Sequence, residues 1–150
     1  MDDVLDLLLI NPSGRTKIYQ KLGANLTAVE PPLWCRLIGG YVRDQGYSVK
    51  ILDCEAEKLD AGDVAERVAT IAPKLVGMIV FGHQPSASTQ QMTSAGEKCR
   101  AIKKQNKDIP IIMVGGHVSA LAERTLKEES IDFVCKGEGP VTVAQLLEAL

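Results

Sequence analysis

Leu75-Val76-Gly77-Met78-Ile79-Val80-Phe81 (LVGMIVF), followed at once by Gly82-His83-Gln84-Pro85-Ser86, is the stretch on which the fold turns. It has strand length and no apolar-polar alternation, so both faces of that strand are covered, as in a parallel sheet flanked by helices. Working outward, the same kind of run recurs upstream at Val4 to Ile10 (VLDLLLI) and Ser48 to Asp53 (SVKILD). Downstream it recurs at Ile109 to Val114 (IPIIMV) and, in a short form, at Asp132 to Cys135 (DFVC). Longer stretches of helical period separate these runs, which is the pattern of repeated βα units.

Lys50 interrupts the second run and places it at a sheet edge, which suits the strand order 2-1-3-4-5. The reading is therefore an α/β fold: a doubly wound, five-stranded parallel sheet of the flavodoxin-like, Rossmann-like kind. Helix ends agree with it. Pro31-Pro32 precedes Leu33, Leu37, Ile38, Tyr41 and Val42 at helical spacing, with Gly46 just beyond as a stop. The second helix is expected from about Ala61 to Ile71, ending before Pro73. The third starts among the small hydroxyl residues from Ser86 to Thr89, which can cap it, and continues to about Lys104. Ser119 opens a fourth that runs to about Glu128, and Pro140 sits in the first turn of a fifth that reaches Leu150 without a C-cap.

Composition narrows the classes. The chain has 150 residues, 45% of them hydrophobic and 24% charged, with a formal net charge of −2. That describes one ordinary domain, able to bury roughly two-thirds of its unfolded surface. No apolar run approaches the roughly 20 residues that span a bilayer, and the Met1-Asp2-Asp3 start is the reverse of a basic signal peptide. A cytoplasmic protein without a membrane role is expected. Scattered charge with no basic stripe argues against nucleic acid as a partner. Cys35, Cys54, Cys99 and Cys135 form no CxxC or CxxxCxxC cluster, so buried free thiols are expected rather than zinc or iron-sulfur ligands or disulfides.

The ligand edge follows from topology. In an open parallel sheet, ligands bind outside the carboxyl ends of the strands, where the winding reverses between strands one and three. At that edge stand Asn11-Pro12-Ser13-Gly14, Gly82 with His83, Gly115-Gly116-His117, and Gly137-Glu138-Gly139. Glycine in all four loops lets backbone approach a ligand closely, and free amides near helix starts bind phosphate or amide oxygens. Each glycine taken alone also serves as an ordinary tight turn. The loop from Asn11 to Glu30 is about twenty residues long, against the usual 2 to 6 or so for a βα connection, which is the length of a functional loop. Both histidines of the chain fall on the rim. His83 suits a hydrogen-bond donor, a proton carrier or a metal ligand, and His117 a helix cap or a ligand contact.

Taken together, LLLINPSG (7–14), PPLWCRLIGGYVRDQGYSVKILD (31–53), VGGHVSAL (114–121) and DFVCKGEGP (132–140) resemble the cobalamin-binding domain of B12-dependent radical SAM proteins. The resemblance spans essentially the whole chain in order, and its most specific part is VGGH followed by DFVCKGEG. It implies a clamp that holds the corrin over the strand edges and threads the nucleotide tail between sheet and helices. The positions implied are Asn11 to Gly14, Gly82, His83, Gly115 to His117, and Gly137 to Gly139. It also implies that these residues are the N-terminal part of a longer protein. A downstream radical SAM domain in the same chain would hold S-adenosylmethionine and a [4Fe-4S] cluster, so the isolated domain would not itself catalyse. The Asp-x-His-x-x-Gly motif of cobalamin-dependent mutases and methionine synthase is replaced here by Asn11-Pro12-Ser13-Gly14-Arg15-Thr16. No imidazole for cobalt comes from that loop, and His83 is the residue from another loop able to approach the lower face. Porphyrin-ring cyclase, natural-product methylase and lipid methylase chemistries are equally compatible.

Other uses of the fold fit less well. A phosphoacceptor signalling domain needs acids at Ile10-Asn11 and Phe81-Gly82, and only Lys136 matches. A nicotinamide enzyme needs G-x-G-x-x-G after strand one, which is absent although Asp53 ends strand two where a ribose partner would stand. A vestigial or protein-interaction module, and after it an FMN-binding electron carrier, are the alternatives that stay open.

Overall fold

Apolar runs with alternating destinations build a five-stranded parallel sheet from Leu7–Asn11 (β1), Val49–Asp53 (β2), Leu75–Val80 (β3), Ile111–Gly115 (β4) and Phe133–Cys135 (β5). The computed structural model describes residues 4–13, 29–82 and 85–150. The strand order is β2-β1-β3-β4-β5, with every neighbouring pair parallel, as the sequence predicts. Strand limits shift by a few residues: β1 begins at Leu7 rather than Val4, and β4 begins after Pro110, which has no N–H to give to a ladder.

Among the described residues six helices cover the sheet: Leu33–Asp44 (α1), Ala61–Ile71 (α2), Pro85–Gln105 (α3), Gly116–Ala120 (α4), Ala122–Glu128 (α5) and Gly139–Ala149 (α6). On one face Leu8 and Ile10 pack with Val64 and Val68 of α2 and Cys99 and Ile102 of α3. On the other, Leu7 and Leu9 pack with Ile38 and Val42 of α1 and Val143 and Leu147 of α6. Leu7 to Ile10 are fully buried, which is why β1 reads as a continuous apolar run. Each such side chain contributes about 1.5–3 kcal/mol by leaving water.

Helix ends follow local chemistry. Gly46 adopts φ +95 and donates its N–H to the Arg43 carbonyl at 2.9 Å, closing α1 where the sequence places the stop. A reciprocal box opens α2: Asp63 N–H donates to Asp60 Oδ1 at 2.9 Å, and Asp60 N–H to Asp63 Oδ2 at 3.0 Å. Two expectations are corrected. The single helix from Ser119 to Glu128 is two short ones, because Leu121 leaves the helical region at φ −125, ψ 44. Leu121 N–H closes α4 on the His117 carbonyl, and its own carbonyl accepts the first bond of α5 from Thr125. The third helix already runs at Pro85, so Ser86 to Thr89 lie inside it rather than ahead of it.

Candidate functional site

The carboxyl edge is a row of loops, each tied to its neighbour by a side chain. At its β2 end, Asn11 Nδ2 donates to Asp53 Oδ1 at 2.9 Å, and the same oxygen accepts from Glu55 N–H at 3.1 Å. Just beyond β1, Ser94 of α3 donates to the Pro12 carbonyl at 3.0 Å while its oxygen accepts from Lys98 Nζ at 2.8 Å. Both Ser94 and Lys98 are buried. A lysine has only donors, so the Ser94 hydroxyl proton is turned toward Pro12. Ser13 follows with a left-handed φ of 53.

Between β3 and β4 the tie is Ser88, 2% exposed. Its hydroxyl donates to the Val80 carbonyl at 2.6 Å and accepts from His117 N–H at 3.0 Å. Gly115 is the residue before α4 and has no side chain to cap it. Ser88 supplies that cap from another helix, satisfying a helix-start N–H that no intrahelical carbonyl reaches. The expected cap roles are corrected accordingly: Ser88 caps α4 rather than its own helix, and the His117 ring turns away to meet Thr89, with Oγ1 and Nδ1 3.0 Å apart. At the far end, Gly137 adopts φ +99 and donates its N–H to Ser119 Oγ at 2.7 Å. Glu138 precedes α6 and makes no side-chain cap. A Cβ on Gly139 would lie 3.2 Å from Val114, so glycine lets α6 start close against the sheet.

Asn11, Pro12, Ser13, Gly82, Gly115, Gly116, His117, Gly137, Glu138 and Gly139 thus stand along one edge. Gly14 and His83, with most of the long first loop, lie outside the described residues. The glycines at the β3 and β4 ends are steric necessities: a Cβ on Gly115 would run into the Val80 carbonyl, and one on Gly82 into Ala87. Gly116 is different. It is exposed, and a Cβ there would only touch Ser88 at 3.8 Å, so this part of the rim is open.

Sequence reasoning missed Trp34. It stacks on Phe81 with ring centroids 4.3 Å apart and planes 20° apart, joining the first turn of α1 to the residue after β3. Trp34 stays 43% exposed, a flat apolar shelf at the rim. It also missed Gln91, whose Oε1 is buried without a hydrogen-bond partner among the described residues. At 100° per residue Gln91 lies on α3 between Ser88, which serves the β3 end, and Ser94, which serves the loop after β1. That is the face over the β1–β3 crevice.

The rim's donors and acceptors are hydroxyls, amides and one imidazole, together with the Asp53 carboxylate bonded to Asn11, Lys98 bonded to Ser94, and exposed Glu138 at the β5 end. Among the described residues, no group of three His, Cys, Asp or Glu could hold a metal ion. All four cysteines are free and buried, and desolvation pushes the Cys35, Cys54 and Cys99 thiols up to about 12 and raises that of Cys135. They are structural rather than ligating. Cobalamin fits this set: its amide- and methyl-fringed ring carries its own cobalt and takes hydrogen bonds from hydroxyls, amides and imidazole beside an apolar shelf.

Comparison with known proteins agrees. The B12 binding domain family matches residues 19–147. An uncharacterized methyltransferase of Pyrococcus horikoshii is 31% identical over 148 residues, covering 98% of this chain and 30% of that protein. An anaerobic magnesium-protoporphyrin IX monomethyl ester cyclase of Synechocystis is 32% identical over 149 residues, covering 96% and 27%. Among solved structures, the radical S-adenosylmethionine methyltransferase TsrM of Kitasatospora setae, with cobalamin and a [4Fe-4S] cluster bound, superimposes with a TM-score of 0.70. The two are 20% identical, with 95% of this chain and 24% of TsrM covered. The chain therefore spans less than a third of the length of these relatives. No helix among the described residues is long and apolar enough to cross a membrane. By the extent of the family match and the sheet that carries it, this chain belongs to the B12-binding domain family.

Proposed function

We propose that this domain holds cobalamin over the carboxyl edge of its sheet and presents it to a radical SAM catalytic domain of a longer polypeptide, for methyl transfer or radical rearrangement. The observation that carries the reading is the open rim at Gly115-Gly116, flanked by the Trp34–Phe81 shelf and by the Gln91 oxygen, buried and unpartnered among the described residues. The relatives add support, since this chain matches only about a quarter to a third of each of them. Bound cobalamin would supply the cobalt-carbon chemistry.

The chain's own residues bind and orient. Amides and carbonyls at Asn11 to Ser13, Gly82, Gly115, Gly116 and Gly137 to Gly139 meet the amide fringe of the ring. His117, fixed by Thr89, keeps its Nε2 for a ligand. Trp34 and Phe81 cover apolar surface and exclude water. S-adenosylmethionine and the iron-sulfur cluster belong to the downstream domain in this reading, and four buried thiols suit a reducing, cytoplasmic setting.

Trp34 is the only tryptophan and stands at the rim, so it reports directly. Corrin absorption overlaps tryptophan emission, and titration with hydroxocobalamin should quench Trp34 with saturation, the corrin spectrum staying with the protein after desalting. Gly116→Val places a side chain in the open part of the rim and should weaken binding by roughly tenfold or more. The reading fails if no corrin is retained under aerobic or reducing conditions, or if FMN quenches as well as cobalamin does.

A further inference from the structure

The edge of the sheet away from the ligand rim carries a second surface. Among the described residues β2 has one neighbouring strand, and its bonding parity is set at both ends: Leu7 N–H donates to the Ser48 carbonyl, and Cys54 N–H to the Asn11 carbonyl. Even-numbered residues therefore serve β1. Val49 and Ile51 turn their backbone N–H and C=O groups outward, a ready template for another strand.

Their side chains pack toward α1 and form the floor of a groove of about 810 Å³ between β2 and that helix. Leu33 and Leu37 on α1 wall it at 58% and 51% exposure. Gly39 brings the helix close, since a Cβ there would sit 3.2 Å from Leu9 and 3.3 Å from Val49. Gly40 leaves the groove open, since a Cβ there would meet nothing within 4 Å. Charge decides the occupant. Arg36 and Arg43 line the groove from α1, Lys50 borders it from β2 with its side chain on the opposite sheet face, and Arg43's partner is the exposed Asp44 at 3.4 Å. A second copy paired edge to edge would bring two such cationic sets together, which is repulsive.

We propose that the outer edge of β2 and its groove bind an extended protein segment of alternating acidic and apolar residues by strand addition. Its backbone pairs with Val49 and Ile51 and its apolar side chains enter beside Gly40 and Leu37; the carboxylates, which the two-residue period of a strand turns to the opposite face, meet Lys50 within the cationic field of Arg36 and Arg43. This surface is separate from the corrin rim and does not depend on it.

The test uses the 150-residue chain and a fluorescein-labelled probe, Glu-Val-Glu-Val-Glu-Val-Glu with blocked ends, in fluorescence anisotropy at low ionic strength. A probe with lysine in place of glutamate is the control. The acidic probe should bind at least about tenfold more tightly than the basic one, with the difference shrinking as salt rises. Gly40→Phe should fill the groove and weaken binding by a similar factor, as should Arg36→Glu combined with Lys50→Glu, which keeps the groove open. Amide exchange should slow at Val49 and Ile51 on binding. The proposal is overturned if neither probe binds, if both bind equally, or if Gly40→Phe is without effect. Self-association of the chain abolished by Gly40→Phe would assign the groove to a second copy and overturn it as well.

Discussion

Ser88→Ala isolates the tie between β3, α3 and α4. The substitution keeps α3 helical, because alanine is the better helix former, and removes a single oxygen from a site only 2% exposed. Two bonds go with it: the 2.6 Å bond to the Val80 carbonyl and the 3.0 Å bond from His117 N–H. Loss of a helix cap costs about 1 kcal/mol, and a buried hydrogen bond about another. The His117 N–H left without its acceptor adds a desolvation penalty, for a sum of about 2–3 kcal/mol. With a urea slope of about 2 kcal/mol per molar, the unfolding midpoint should fall by about 1–1.5 M. Thr93→Ala, at an exposed position on the same helix, is the control and should move it little. Circular dichroism and Trp34 emission should report the same transition. A Ser88→Ala midpoint within about 0.2 M of the parent would refute the account, because another group would then be holding the β4 turn.

Gly115→Ala should destabilise by more than about 2 kcal/mol, since its Cβ meets the Val80 carbonyl group, whereas Gly40→Ala should stabilise by up to about 1 kcal/mol in thermal melts. The carboxyl of Asp6 is held down to about 2 by its bond to Lys74 at 2.7 Å and its bonds with Ser48. A depressed folded pKa stabilises above the unfolded value near 3.8 and loses that contribution as pH falls toward 2. Parent and Asp6→Asn urea midpoints, apart at neutral pH, should therefore converge over that window. With Cys35, Cys54 and Cys99 raised to about 12 by burial, native protein at pH 8 should resist iodoacetamide. Mass spectrometry should find them alkylated only in urea.

Most of the fold was legible because a strand buried on both faces writes its burial directly into composition. β1, β3 and β4 are continuous apolar runs for that reason, and Lys50 marks the edge strand. The row of loops at the carboxyl edge was legible too, since topology alone puts the residues after β1, β3, β4 and β5 on one side. What was misread lies at helix starts. A hydroxyl run such as Ser86 to Thr89 looks like a local cap, yet Ser88 spends its oxygen on α4, and nothing local reveals that choice. The Asp60-x-x-Asp63 box, by contrast, was open to reading from its spacing alone.

The sequence by itself determined the sheet order, the burial of the four thiols and the carboxyl-edge placement of the glycine loops. Each of these depends on residue type and chain order, which are local properties. Only the tertiary structure decided how the rim is braced and where it is open. The braces Ser88 to His117, Asn11 to Asp53 and Ser94 to Pro12 join residues 29, 42 and 82 positions apart. The same holds for the Trp34–Phe81 shelf and the β2 groove, which exist because α1 crosses the sheet at Gly39. Such pairings leave no periodic trace in a sequence, because the packing of helices on the sheet, not the neighbours along the chain, brings the partners within reach.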